Sequence, residues 1–260
     1  MDQRIQEVEA LRKTAEVTET FTDRIVKEMP ITIYLNEKEI VTLLCSPDNL
    51  EELAVGFLSS EGLIKDPKDL IRVRAHEEQG MVWVETARES QIAEKLFLKR
   101  YITTGCGKGT TFYHWADANL AKPITSNLRV TAAEILEAMR KVQQISELYK
   151  TTGGVHGAAL CERDKIFLYR EDVGRHNAVD KIIGRCFLDG TPTADKILLT
   201  SGRISSEILI KVAKMGIPIL VSRSAPTSLA LAHAEELGIT VVGFARARRL
   251  NVYTYPERIQ

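Results

Sequence analysis

The second half of the chain alternates short apolar runs with amphipathic segments, and that alternation constrains the fold more than any other feature. From residue 131 it reads as a helix in "TAAEILEAMRKVQQISELYK", strands in "AALC" and "KIFLYR", and a helix in "GRHNAVDKIIGRCFL". A strand "KILLT", a helix "SSEILIKVAKM", a strand "IPILVS", a helix "TSLALAHAEELG", a strand "TVVGFA" and a last strand "NVYTY" complete it. "KILLT" and "IPILVS" are apolar without a polar alternation, as strands covered on both faces must be. The pattern predicts an α/β/α layered domain over residues 126–260. Thr131 and Glu134 form a capping box for its first helix, and Ile135, Met139, Val142 and Ile145 form that helix's apolar stripe.

The first half is patterned differently. Residues 1–25 are charged throughout and read as a mobile arm or an isolated helix. Residues 26–125 read as a small mixed α/β unit. "ITIYL" and "EIVTLLC" are strands joined by the polar "NEKE", and "IRVRA" and "MVWVETA" are strands split by "HEEQG". Between these pairs lies a helix in "DNLEELAVGFLSSEGLI", with Asp48 as its cap and Leu50, Leu53, Phe57 and Leu58 as its stripe. The Pro and small polar residues of "AKPITSN" mark the boundary between the halves.

Composition narrows the function classes. The 260 residues carry 35 basic and 35 acidic side chains, so no global field draws in nucleic acid or an anionic membrane, and any anion site is local. No apolar run is long enough to span a bilayer and the N-terminus lacks an apolar signal core, which predicts a cytoplasmic protein. The four cysteines, Cys45, Cys106, Cys161 and Cys186, are scattered without a C-x-x-C pair, which argues against a disulfide framework and a zinc ribbon. Cys45, Cys161 and Cys186 lie in or beside apolar runs and read as small buried hydrophobes. The histidines show neither i, i+4 pairing nor an H-E-x-x-H, so no metal site is expected.

Five motifs carry chemistry. "TTGCGKG" sets Cys106 between Gly105 and Gly107, with Lys108 adjacent. It is either a reactive thiolate exposed to backbone N–H groups and a cation, or a tight glycine turn that holds a small residue. "TTGGVHGAAL" puts His156 after paired glycines, as a turn before a strand or as an acid–base or hydrogen-bonding group. "REDVGRHNAVDK" crowds Arg170, Glu171, Asp172, Arg175 and His176 at a strand-to-helix junction, with Asp172 placed to cap the helix. Charged caps are common there, and so are ligand sites. "TSGRISSE" and "VSRSAPTS" come after successive strands and offer Arg203, Ser222 and Arg223 beside helix N-termini, without a Walker motif. Two such junctions on neighbouring strands line one sheet edge. "GFARARRLNVY" places Phe244, Ala245, Arg246, Ala247, Arg248 and Arg249 after the last apolar strand. It is either a solvated basic strand end or part of a phosphate site, with Phe244 able to stack on a ring.

Taken together, "TTGCG", "TGGVHGAAL", "EDVGRHNAVDKIIG", "TSGRISSEI", "PILVSRSAPTSLA" and "GFARARRLNVYT" resemble the FdhD family of formate dehydrogenase accessory sulfur carriers, from about residue 25 to the end. The resemblance implies a cytidine-deaminase-like fold without the deaminase zinc, and homodimers. It implies sulfur accepted from a cysteine desulfurase as a persulfide on Cys106. That sulfur passes to bis-molybdopterin guanine dinucleotide, the molybdenum cofactor of formate dehydrogenase, with the cofactor segment matching Phe244 to Arg249. Many relatives carry C-x-x-C in the cysteine loop; here the second position is Gly109, so single-thiol transfer through Cys106 is what remains. Two other classes fit the same residues: a non-catalytic chaperone of the cofactor, and a nucleotide-binding enzyme on a deaminase-like scaffold.

Overall fold

The computed structural model describes residues 2–88 and 123–260, with the backbone of Tyr101–Ile102 and Thr110–Thr111. The first element departs from expectation. Residues 1–25 are neither a loose arm nor a helix: β1 (Ile5–Lys13) and β2 (Thr18–Val26) form an antiparallel hairpin, paired from Ile5↔Val26 to Lys13↔Thr18. Thr14 closes the turn, its Oγ1 accepting the Val17 N–H at 3.0 Å. Alternation explains the ribbon, because Val8, Ala10, Phe21 and Ile25 fall on one face. The glutamates, Leu11 and the arginines are good helix formers, which is why composition points the other way. The root of the ribbon is anchored: Arg4 Nη1 donates to Glu171 Oε1 at 2.9 Å and to Asp48 Oδ2 at 3.2 Å.

A four-stranded sheet comes next, in the order β4-β3-β6-β5. Its strands are β3 (Met29–Leu35), β4 (Lys38–Cys45), β5 (Leu70–His76) and β6 (Met81–Thr86). Asn36 and Glu37, both left-handed at φ 47 and 67, make the two-residue turn between β3 and β4. Helix α1 (Leu50–Ser60) covers this sheet with Leu53, Val55, Phe57 and Leu58 in the core. Asp48 does not cap it. The N-cap is Asn49, in the left-handed region and without a side-chain cap bond, while Asp48 Oδ1 accepts from Lys181 Nζ at 2.5 Å. A fully buried ammonium needs the carboxylate more than a helix end does.

The larger sheet has six strands in the order β10-β9-β11-β12-β13-β14. These are β9 (His156–Glu162), β10 (Lys165–Asp172), β11 (Ile197–Thr200), β12 (Ile219–Ser222), β13 (Thr240–Arg246) and β14 (Arg249–Val252). The two-residue strands Tyr101–Ile102 and Thr110–Thr111 are β7 and β8. β11, β12 and β13 run parallel; β9 and β14 lie antiparallel on either side of them.

Helices α4 (Arg175–Asp189), α5 (Ser206–Lys214) and α6 (Ser228–Leu237) cover one face, packing on Ala158, Leu160, Leu198, Leu220 and Val241. Helix α2 (Ala132–Ile145) covers the other with Ile135, Ala138, Met139 and Val142 against Ala159, Cys161, Ile197, Leu199 and Val221. A short α3 (Glu147–Thr152) comes after it. Alternate residues of each strand thus enter opposite cores, which gives the α/β/α layers predicted. The capping box forms as expected: Glu134 N–H donates to Thr131 Oγ1 at 3.2 Å and Thr131 N–H to Glu134 Oε2 at 2.7 Å.

The smaller sheet joins the larger one through two helices. α1 and α4 cross backbone to backbone at Gly56 and Gly184. A Cβ on Gly56 would lie 1.8 Å from the Asp180 carbonyl oxygen, and one on Gly184 1.8 Å from that of Glu52.

Candidate functional site

Strand direction brings four of the five motifs to one place. β11, β12 and β13 are parallel, so their carboxyl ends share an edge. β9 is antiparallel to β11, so its first residues lie at the same edge, and Asp172 at the end of β10 pairs with His156. The junctions after these strands therefore gather there: Arg175 and His176, Ser201 to Arg203, Ser222 to Ser224, and Phe244 to Arg249. Carboxyl edges of this kind are where layered α/β sheets bind ligands. The fifth motif, "TTGCGKG" with Cys106, lies outside the described residues.

The loops are tied into a fixed rim. Ser201 N–H donates to Gly157 O at 2.9 Å, Arg223 N–H to Thr200 O at 3.2 Å, and Phe244 N–H to Ser224 O at 3.0 Å. Ser222 is part of this scaffold and not a surface hydroxyl: it is fully buried, and Oγ donates to Gly202 O at 2.5 Å while accepting the Ser224 N–H at 2.8 Å. Ala245 is likewise buried, in the core beneath α2, so only its backbone faces the rim. Gly202 is needed for space. A Cβ there would come within 2.8 Å of Arg175 Cδ, so the glycine lets the arginine stem cross the loop.

The rim is basic. Arg203, Arg246, Arg248 and Arg249 are exposed and Arg223 is half-buried. Among the described residues none of these five pairs with a carboxylate. The segment read as a solvated basic strand end or as part of a phosphate site is the tip of a hairpin. Arg246 pairs with Arg249, and Ala247 takes the left-handed turn position at φ 54. Phe244 is also left-handed, at φ 52, a conformation unfavourable for an aromatic residue and retained here by the bond to Ser224 O. The Arg246 guanidinium sits 5.4 Å from the Phe244 ring centroid.

Two imidazoles complete the edge. His156 Nδ1 is 3.0 Å from Ser201 Oγ, which also accepts the Gly157 N–H at 3.1 Å. Burial, then the neighbouring charges of Arg175 and His176, push the His156 pKa down and favour its neutral form. His176 Nε2 lies 3.0 Å from Glu207 Oε2.

The charge cluster at "RED" divides. Arg170 grips Glu52, its Nη2 donating to Oε1 at 2.7 Å. Glu171 is buried between Arg4, Tyr169 and Ser146. Asp172 does not cap α4, whose N-cap is Gly174; it pairs with Lys181 at 2.8 Å and accepts from the Ser46 and Gly174 N–H groups. These three hold the fold, and only Arg175 and His176 reach the rim. No group of His, Cys, Asp and Glu among the described residues is arranged to hold a metal ion.

The edge thus gathers a local basic rim, an aromatic ring and hydrogen-bonded loops on a layered α/β sheet. Residues 26–260 match the FdhD/NarQ family, and the chain belongs to that family. It is 47% identical over 238 residues to the sulfur carrier protein FdhD of Bacillus subtilis (strain 168), covering 92% of this chain and 91% of that protein. It is 50% identical over 237 residues to the protein of the same name from Listeria innocua, covering 90% and 91%. Among solved structures it is similar to a crystal structure from Desulfotalea psychrophila, described as a candidate formate dehydrogenase accessory protein. That likeness has a TM-score of 0.82 and 30% identity, over 98% of this chain and 99% of that one.

Proposed function

We propose that this chain is a sulfur carrier. It takes persulfide sulfur from a cysteine desulfurase onto Cys106 and delivers it to bis-molybdopterin guanine dinucleotide for formate dehydrogenase. The observation that carries the reading is the rim of arginines that have no carboxylate partner among the described residues, a site suited to several phosphates at once. The residues present fit that ligand: Arg203, Arg223, Arg246 and Arg248 for its phosphates, Phe244 for a guanine. When bound, the cofactor supplies the metal that takes the sulfur.

Cysteine chemistry points the same way. Burial pushes the thiols of Cys45 and Cys161 up to about 12 and that of Cys186 up to about 11, which suppresses their thiolates. Cys106 is the remaining thiol. In loading, its thiolate bonds to the outer sulfur of the donor persulfide as the donor's S–S bond breaks. The donor cysteine leaves as a thiolate and takes the proton that Cys106 gave up. The sequence sets Lys108 two residues after Cys106, and a nearby cation favours a thiolate. The carrier works as a homodimer in the cytoplasm; no described helix is long and apolar enough to cross a membrane.

Intact mass after incubation with a cysteine desulfurase and cysteine tests the reading. A reducible gain of one sulfur is expected, and its loss in Cys106→Ala. An equal gain in the variant moves the sulfur to another thiol, and no gain in either protein leaves a cofactor chaperone.

A further inference from the structure

We propose that β1 is a self-complementary edge: two copies of this chain join ribbon to ribbon through it, antiparallel, with the two-fold axis at Ala10. The inference rests on the homodimer of the reading above and names its contact.

The ribbon is the part of the fold that its own chain leaves unfinished. A two-stranded hairpin is marginal by itself in water. This one is held at its root: Arg4 bonds Glu171 and Asp48, Val26 lies against Gly154, and β2 packs on α3. Beyond the root, β1 pairs with β2 alone among the described residues. The outer strands β4, β5 and β10 each meet a register shift in their pairing, and β14 meets another. Such irregularities blunt a sheet edge against further pairing. β1 and β2 pair from Ile5 to Lys13 without one.

Backbone phase picks the groups on the open edge. Thr14 N–H donates to Val17 O at 2.8 Å and Lys27 N–H to Arg4 O at 2.7 Å, so the even-numbered residues of β1 hold the inward bonds. The N–H and C=O groups of Glu7, Glu9, Leu11 and Lys13 therefore point away from β2, and all of these residues are exposed.

Charge picks the occupant. A foreign strand laid here meets two carboxylates and an ammonium in close succession. A second copy of β1 meets them with their opposites. With the axis at Ala10, Glu7 stands opposite Lys13 of the second copy and Glu9 opposite its Leu11. All the outward residues then pair, no like charges face each other, and roughly eight backbone bonds form. An axis at Val8 sets Glu7 against Glu9, one at Glu9 opposes two carboxylates, and one at Arg12 opposes two guanidinium groups. An axis at Leu11 sets Glu7 against Ala15, beyond the end of the strand. On the other face Ala10 is the small residue at the axis. It pairs with Phe21 in its own ribbon, so a row of Phe21, Ala10, Ala10 and Phe21 crosses the joined sheet. Arg12 flanks that row, its guanidinium 4.0 Å from the Phe21 centroid and 3.0 Å from Glu19.

Sedimentation of the full-length protein over a concentration series tests this, with cysteine crosslinking to fix the register. Wild type is expected as a dimer. Leu11→Pro removes an N–H that β2 does not use, so the ribbon stays and the dimer should weaken about tenfold or more. Thr20→Pro, the same change on the outward edge of β2, should leave the dimer unchanged. In a Cys106→Ala background, Ala10→Cys should form an intermolecular disulfide in air, because opposed residues without mutual backbone bonds lie about 4.5 Å apart at Cα. Val8→Cys should not, since its two copies lie roughly 14 Å apart along the strands. A monomeric wild type, a dimer that Leu11→Pro leaves intact, or a crosslink at Val8 in place of Ala10 overturns the proposal. Sulfur loading is read separately by mass: Leu11→Pro should gain sulfur as wild type does, and a dimeric wild type that gains none overturns the sulfur-carrier reading and not this contact.

Discussion

The crossing of α1 with α4 and the carboxyl edge of the large sheet are both rich in charge, but they treat it in opposite ways. At the crossing, each of the central cations is held by carboxylates out of water. Lys211 Nζ lies 2.7 and 2.9 Å from the two oxygens of Asp180 and 2.6 Å from Ser60 Oγ. Lys181 is fully buried between Asp48 and Asp172. Arg170 takes both oxygens of Glu52. At the edge, five arginines have no carboxylate beside them among the described residues. A buried ion must be paired or the fold loses more than the contact is worth. An exposed cation costs little to leave in water, and so remains available to a ligand. The pairing state of a cation thus separates the residues that join the two sheets from those left open to solvent at the edge.

The largest effect is expected where that division is broken from the structural side. Lys181→Met leaves Asp172 and Asp48 facing each other without the ammonium. It should lower unfolding stability by about 3–5 kcal/mol in urea. Adding Asp172→Asn should return part of the loss, because the uncompensated carboxylate is its main source. A change under about 1 kcal/mol in the single variant would show that water reaches the pair, and the contrast with the edge would fail.

Alkaline pH probes the same region without mutation. Burial raises the thiols of Cys45 and Cys161 from 9.0 to about 12. For Lys181 and Lys211, burial alone lowers the ammonium, but Asp172 and Asp48, and Asp180 and Glu61, outweigh it and the net direction is upward from 10.5. In every case the folded state holds its proton more tightly than the unfolded chain. The contribution is therefore complete below the unfolded value and is lost as pH rises through the folded one. Urea midpoints should hold to about pH 9, fall as the thiols begin to differ, and fall further above 10.5. A flat profile from pH 8 to 12 would mean that these groups are not shielded as the structure places them.

The two regions are unequally legible in the sequence. The edge can be read because its residues sit in strand-to-helix junctions: apolar runs such as "IPILVS" locate the strands, and the loop after a parallel strand must lie at that strand's carboxyl end. Ser222 and Ala245 read as ligand groups but are buried, since the last residues of a strand still alternate into the core. The crossing is nearly invisible. Two of its pairs join residues more than a hundred positions apart, Glu52 with Arg170 and Asp48 with Lys181. A usable signal is a charge inside an apolar helical run, Lys181 in "AVDKIIG" and Lys211 in "ILIKVA". The hairpin of residues 5–26 escapes for another reason. Its first strand, "IQEVEALRK", is made largely of good helix formers, and the pairing partner that overrides propensity lies in the next strand.

The smallest effect on stability, and the most specific on binding, is expected at the hairpin tip. Arg246→Ala and Arg248→Ala remove exposed side chains without a carboxylate partner among the described residues, so melting temperature should stay at the wild-type value. Persulfide formation on Cys106 should also be unchanged, since neither arginine is needed to load the thiol. Guanine nucleotide affinity alone should fall, and more steeply for Arg246, whose guanidinium lies over the Phe244 ring. Salt gives the independent check. If these arginines meet phosphates, raising ionic strength should weaken GDP binding to wild type more than to the variants, because fewer cations remain to be screened. A variant that loses stability together with affinity would place Arg246 among the cations that hold the fold, and the distinction between the two regions would have to be redrawn at that residue.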